Sequence, residues 1–414
     1  MSNDGILQNE HGATITFVAV VLAVLLSFSA LAVDVGYLYG VRNELHNAAD
    51  AGSLAGARVL FNDDGILNRE AAIFEATRIA TANKTGNQAV AAEAVETGHW
   101  SFASQTFTAS ENTTQLEGWQ EMSSGDLDGN PAFINAVRVQ TQRSDTPSFF
   151  AKIIELDSFL VNNDAVAWLG FSGQLYPGEL DQPMAICKES IIDPDGSYSC
   201  NMGRMLNSGG SSTTSNTGGW TNFSQPCGTA NAAEMKELVC SNGNTGELEL
   251  GQEMGATGGV QNSTLDKLSD CWAAATGKIK NWNLTLAVVE CPGNNVGNCA
   301  KLVGAVNVDV IWIVEKNDPL YNNVPWEMTI FDKDNMQVDY WADDEPDGFT
   351  RWKSFVDHFK LANVNGPPVS DADYATMYQN KNIFFLPSCE EHELTGNSGG
   401  ENFGIMAAIP KLVE

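Results

Sequence analysis

Five histidines and eight cysteines are the first places to look for chemistry in this 414-residue chain. The histidines, His11, His46, His99, His358 and His392, have no partner at a catalytic spacing, and GxSxG, HExxH, Walker A and GxGxxG are all missing. Cys389 and His392 sit close together in SCEEHELTG, but Cys389 reads as a disulfide half and the neighbouring glutamates as an exposed loop. No enzyme, resident cofactor or small-molecule substrate is expected from this inventory. Carboxylates stand at alternate positions beside glycine in DLDGN (126–130), DPDG (193–196) and FDKDNMQVDYWADDEPDG (331–348), as calcium loops require. None completes an EF-hand, and in an acidic chain such clusters arise by composition, so no metal site is assigned. Trp220, Trp326, Tyr340, Trp341 and Trp352 lie in polar stretches, either as a binding platform for carbohydrate or as covers of small cores.

The cysteines (187, 200, 227, 240, 271, 291, 299, 389) fall in the second half, and neither a CxxC nor a zinc-finger spacing occurs. An even, dispersed set suits disulfides formed in an oxidising compartment. Cys291 and Cys299 flank the turn CPGNNVGNC and are the pair expected to bridge. Charge adds to this picture: 22 Lys plus Arg face 52 Asp plus Glu, a net charge of -30. Such a surface repels phosphate backbones, so nucleic acid is not an expected partner.

The elements that carry these residues begin at a membrane. Gly12 to Val33 holds no charged residue, and as a helix those 22 residues span roughly 33 Å, enough to cross a hydrocarbon core. A permanent anchor is the favoured reading. The competing readings are a signal peptide cut near Ala30-Leu31-Ala32, against which the segment is long and lacks an N-terminal Lys or Arg, and a buried core helix. Arg42 and Arg58 follow the span and favour a cytoplasmic body, whereas the cysteines favour an exported one. The cysteines carry more weight, because long domains translocate largely regardless of charge.

Beyond the span, Val35, Leu38, Arg42, Leu45, Ala49, Gly52, Gly56 and Val59 recur at helical steps, so one helix runs on to about Phe61, where NDDG turns the chain. Ala48, Ala49, Gly52 and Gly56 form a face of small residues that admits another backbone closely, whether the chain's own domain or a partner. This segment, Gly12-Ala13, the uncharged span and AVDVGYLYGVRNELHNAADAGSLAGAR with its Asp34-Val-Gly, Tyr39, Arg42, Leu45 and Ala48-Ala49-Asp50 elements, resembles the N-terminal region of TadG-like proteins of the tight-adherence (Flp-type) pilus assembly system. NAVRVQTQRSDTPSFFAKIIELDSFLVNNDAVAWLG (135–170) is similar to the strand, helix and strand that follow in such proteins, and NTGGWTNF, GGVQNSTLDKLSDCW and LVGAVNVDVIWIVE look like parts of related chains. The resemblance implies a single-pass bacterial inner-membrane protein, its C-terminal region in the periplasm or cell exterior, with other pilus-assembly or envelope proteins as partners. Two features depart from relatives: Phe17 stands where prepilin processing needs a Glu, and the Asp-x-Ser-x-Ser pentad of von Willebrand A-type domains is missing.

Downstream, GILNREAAIFEATRIATANKTGN reads as an amphipathic helix, VETGHWSFASQTFTAS, INAVRVQTQ and SFLVNNDAVAWLGFSG as strands, and PSFFAKIIE as a short helix starting at Pro147. LTLAVVE and KLVGAVNVDVIWIVE are nearly continuous apolar runs and read as central strands, while IMAAIPKLVE could add a last one. The expected fold is α+β: an N-terminal transmembrane helix continuing into a long helix packed on an antiparallel sheet, followed by a β-rich, disulfide-braced region. The expected parts are 1–61 (anchor and long helix, span about 12–33), 62–173 (an α+β domain) and 174–414 (the Cys-containing exterior). The expected function is a non-enzymatic, externally facing assembly component of a Tad/Flp-type pilus or the cell envelope. The rival is an anchored carbohydrate-binding or adhesive module acting through 187–414.

Overall fold

In a computed structural model, residues 10–192, 197, 199–200, 202–207, 218–258, 262–291, 296–361, 367–389 and 396–413 are described. One uninterrupted helix, α1 (Glu10–Arg58), carries the chain from its apolar start into the body. Its large apolar side chains from Ile15 to Val33 are exposed, and none of its most apolar 18-residue window is buried, as expected of a segment whose solvent is lipid. The helix stops at Arg58, three residues before the turn expected from the sequence, and the chain reverses through Asn62, whose side-chain oxygen accepts from the N–H groups of Asp64 and Ile66.

The return helix α2 (Arg69–Ala82) is capped by Asn68 and buries Ala72, Ala76 and Ala80, one small residue per turn. Beneath the two helices lie strands β1 (Ala91–Ser101), β2 (Thr106–Ala109), β3 (Ala136–Pro147) and β4 (Ser158–Trp168). They form an antiparallel sheet in the order β4-β3-β1-β2, and the C-terminal strand Lys411–Leu412 adds outside β4. Val137 and Val139 pair with Ala167 and Ala165 of β4, and both valines are buried. The alternation of β3 thus turns its apolar face to the helices. Pro147 ends β3 rather than starting a helix: the segment after it makes a 3-10 turn, Ala151–Ile154.

The second sheet contains β5 (Met184–Cys187), β6 (Arg204–Asn207), β7 (Gly218–Thr221), β8 (Glu253–Thr257), β9 (Trp282–Val289), β10 (Cys299–Ile313) and β11 (Asn382–Pro387). The order is β6-β11-β10-β8-β7-β5-β9, and a further β9–β10 pairing closes five of these strands into a ring. Both faces of β9 are covered. Leu284, Leu286 and Val288 enter a large core with Trp220, Trp272, Trp312 and Trp352, while Ala287 and Val289 join a second one with Met254 and Leu302. Burial on both faces is the physical reason that LTLAVV and LVGAVNVDVIWIV are apolar without alternation.

All eight cysteines pair: Cys187–Cys291, Cys200–Cys389, Cys227–Cys299 and Cys240–Cys271. The expected Cys291–Cys299 bridge is therefore corrected. Val289 of β9 lies beside Cys187 in a parallel pairing, so the chain leaving β9 delivers Cys291 to Cys187. Cys299 opens β10 beside Gly255 of β8 and meets Cys227 instead.

Candidate functional site

The residues singled out by their small size are buried on the inner side of α1, and their neighbours belong to the same chain. A Cβ built on Gly52 would lie 2.9 Å from the Ala80 Cβ and 3.0 Å from the Ala76 carbonyl oxygen. One built on Gly56 would lie 2.8 Å from the Ala76 Cβ, 2.9 Å from the Ala72 oxygen and 3.0 Å from Val137 Cγ1. The glycines let α1 sit against α2 and β3 at backbone distance, which a larger residue would forbid. Ala48 packs with Val41, Leu45 and Val90 in a separate small core, and Ala49 is fully buried. The Thr141 hydroxyl of β3 donates to the Leu45 carbonyl, 3.0 Å away, tying helix to sheet.

Nearer the membrane stands a contact that the sequence did not assign. Asp34, the first charged residue after the apolar span, is buried and accepts three backbone N–H groups: from Phe149 at 2.8 Å, Phe150 at 3.0 Å and Ala151 at 2.7 Å. These are the otherwise unpaired donors at the start of the 3-10 turn, so a carboxylate from α1 caps a turn more than a hundred residues later. Tyr37, one turn along, meets the Phe149 ring edge-on with centroids 5.1 Å apart. Higher up, Glu44 accepts from the Gly86 N–H at 2.9 Å, and the buried Arg143 donates to the Thr85 carbonyl at 2.9 Å. The advance signals for Asp34 are a lone carboxylate ending an apolar run and its place in the Asp34-Val-Gly element; its backbone partners leave no mark in side-chain pattern. Tyr39 and Arg42, two more elements of that stretch, are exposed.

The candidate chemistry elsewhere is structural. His99 is buried, with Nδ1 2.8 Å from the Phe133 carbonyl and Nε2 2.9 Å from that of Asp128. His46 lies 3.6 Å from Asp50 and His358 2.9 Å from Asp339. The His11 side chain, His392 and the DPDG loop fall outside the described residues. Asp128 of DLDGN accepts from the Ser101 hydroxyl and from the N–H groups of Phe102 and Ala103. Burial, the largest influence on it, pushes its carboxyl up, but these hydrogen bonds and the nearby His99 outweigh burial and hold it below the usual carboxylate range. Among the described residues the one set of three metal-type ligands is Glu121, Cys200 and Cys389, and its two sulfurs are bonded to each other. Trp220, Trp341 and Trp352 are core residues. Trp326 and Tyr340 are exposed, and the Trp326 ring is covered by the Arg351 guanidinium at 3.7 Å.

Residues 12–59 match the family model described as Flp pilus-assembly TadE/G-like, and residues 55–167 match that described as Tad-like Flp pilus-assembly. Residues 12–167 are thus similar to the TadE/G-like pilus-assembly proteins. The two matches meet within the last turn of α1 and together cover that helix, α2 and the strands up to β4. The Asp34 cap and the Gly52–Gly56 contact are therefore both internal to the TadG-like part. No curated protein and no solved structure matches the chain. These matches and the apolar helix α1 support a pilus-assembly-associated membrane component, and the matched families point to a structural, assembly role.

Proposed function

We propose that this TadG-like chain is a non-enzymatic, single-pass anchor of the bacterial inner membrane whose body, residues 62–414, faces the periplasm or cell exterior and serves the Tad/Flp pilus system. The observation that carries the orientation is the set of four disulfides following the apolar helix, since cytosolic thiols are held reduced. The chain acts as three parts: 1–61 as anchor and lever, 62–173 as the module seated on it, and 174–414 as the disulfide-braced exterior. Ala48, Ala49, Gly52 and Gly56 serve the first junction. Because α2 and β3 fill the glycine face, a pilus-assembly or envelope partner meets another surface. The adhesive alternative loses support from the burial of Trp220, Trp341 and Trp352.

Protease added to spheroplasts tests the orientation. Digestion of the body without lysis is expected, together with disulfide-linked peptides joining 187 to 291 and 227 to 299. A body protected until lysis, with thiols free to react, would overturn the export reading.

A further inference from the structure

The geometry points to a second membrane contact: the loop after β3, residues 149–156, is a wedge that lies in the bilayer surface beside α1 and holds lipid acyl chains against the helix. This rests on the reading of α1 as a membrane span. Five large apolar side chains, Phe149, Phe150, Ile153, Leu156 and Leu160, are exposed within twelve residues, and Ile153 is 79% exposed. Singly exposed apolar residues are ordinary; a cluster of this kind marks an interaction surface.

What covers the cluster follows from where it lies. Asp34 fixes the loop at the end of the uncharged span by capping Phe149, Phe150 and Ala151. From there the turn descends alongside α1, and Phe150, Ala151 and Ile153 face Leu26, Ala30 and Leu31 across an apolar groove. Those helix residues lie one to two turns before Asp34, about 5–12 Å along the axis. Amphipathic elements at a bilayer surface bury their apolar side about 5–10 Å into the headgroup and acyl boundary. The groove is thus continuous with the lipid-facing flank of α1, and an acyl chain lying along Leu26 and Leu31 also touches Ile153. The arrangement further explains how a carboxylate stands next to hydrocarbon: the wedge brings three N–H donors to Asp34 where water is scarce.

The test uses the full chain in nanodiscs. All eight native cysteines are bridged, so Ile153→Cys, Leu22→Cys and Phe74→Cys each introduce a single reactive thiol for an environment-sensitive fluorophore. Leu22 reports on the span itself. Phe74, exposed on α2, lies between the two residues that meet Gly56, roughly 33 Å along α1 from Asp34, and reports on water. The expected result is blue-shifted emission at 153 with loss of fluorescence to nitroxide lipids labelled high on the acyl chain, deep quenching at 22 and neither effect at 74. If 153 behaves like 74 while 22 is quenched, the wedge is wrong and the anchor stands. If 22 also behaves like 74, the anchor reading fails and the wedge falls with it. Blue-shifted but unquenched emission at 153 would mean that a second copy of the chain, not lipid, covers the loop, and would equally overturn the assignment.

Discussion

Replacing Gly56 by alanine sets two known effects against each other. Alanine is the better helix former by about 1 kcal/mol, so in an open helix position the change stabilises. At Gly56 the new Cβ would stand 2.8 Å from the Ala76 Cβ, 2.9 Å from the Ala72 oxygen and 3.0 Å from Val137 Cγ1. Carbon atoms settle at about 3.5–4.0 Å, so α1 and α2 must part by roughly 0.7 Å or more, against the packing of α1 on the sheet. Overpacking of this kind costs about 1–3 kcal/mol. Gly40, in the same helix, has nothing within 4 Å of its prospective Cβ and supplies the control. Because the propensity gain is common to both, the difference between Gly40→Ala and Gly56→Ala isolates the overpacking. At about 2–4 °C per kcal/mol, the two melting temperatures should differ by roughly 2–12 °C, Gly40→Ala melting higher. Melting followed by circular dichroism in detergent measures it, with Gly56→Leu expected below both. A Gly56→Ala protein as stable as Gly40→Ala would refute the close approach of α1 to α2.

Two further outcomes follow from the carboxylates. Asp34→Ala leaves the N–H groups of Phe149, Phe150 and Ala151 without their acceptor, so limited proteolysis should newly cut within 148–157; an unchanged digestion pattern would remove the cap from the account. Asp128 has a folded pKa below its unfolded value near 3.9, so its contribution is present above about pH 4 and is lost as pH falls through the folded value. Asp128→Asn should accordingly lower the melting temperature at pH 7, and the gap to the unaltered protein should close on acidification towards pH 3. A gap of constant size would show that the ionised form gives no special stability.

The parts legible in the sequence are those written in runs of side chains. An uncharged segment of 22 residues reads first as a membrane-spanning helix, and the exposed apolar side chains of α1 set the buried-core alternative aside; the apolar runs of β9 and β10 announce burial on both faces. The small residues of α1 announced a close approach but not its object. The partner was written sixteen residues after Gly56 in Ala72, Ala76 and Ala80, a complementary face with the same four-residue step, and only the turn at 62–65 makes the two meet. The disulfide pairing was illegible for a different reason. Cys187 and Cys291 are joined by a parallel strand pairing across 104 residues, while Cys291 and Cys299, neighbours in sequence, leave the ring towards different strands. The Asp34 cap uses backbone donors, which every residue except proline possesses, so no residue type could have flagged them.

The path of the C-terminus bears on how such a body can work. Lys411 and Leu412 pair with Trp168 and Ala167, covering an edge of β4 that would otherwise be open to another chain. Just before, Ser398 and Gly400 pair with Ser172 and Phe171, and the buried Asn402 side chain donates to the carbonyls of Trp119 and Met122, both at 2.8 Å. The chain beyond β4 therefore leaves the TadG-like sheet at that strand and returns to it. Residues 174–410 are thus joined to that sheet at both ends, not by a single linker. That sheet is in turn tied to α1 by the Thr141–Leu45 bond, the Gly52–Gly56 contact and the Asp34 cap. Those three contacts are spaced along α1 from Asp34, at the end of the apolar span, to Gly56 near its last turn, so the body is seated along that length of helix and not at one hinge.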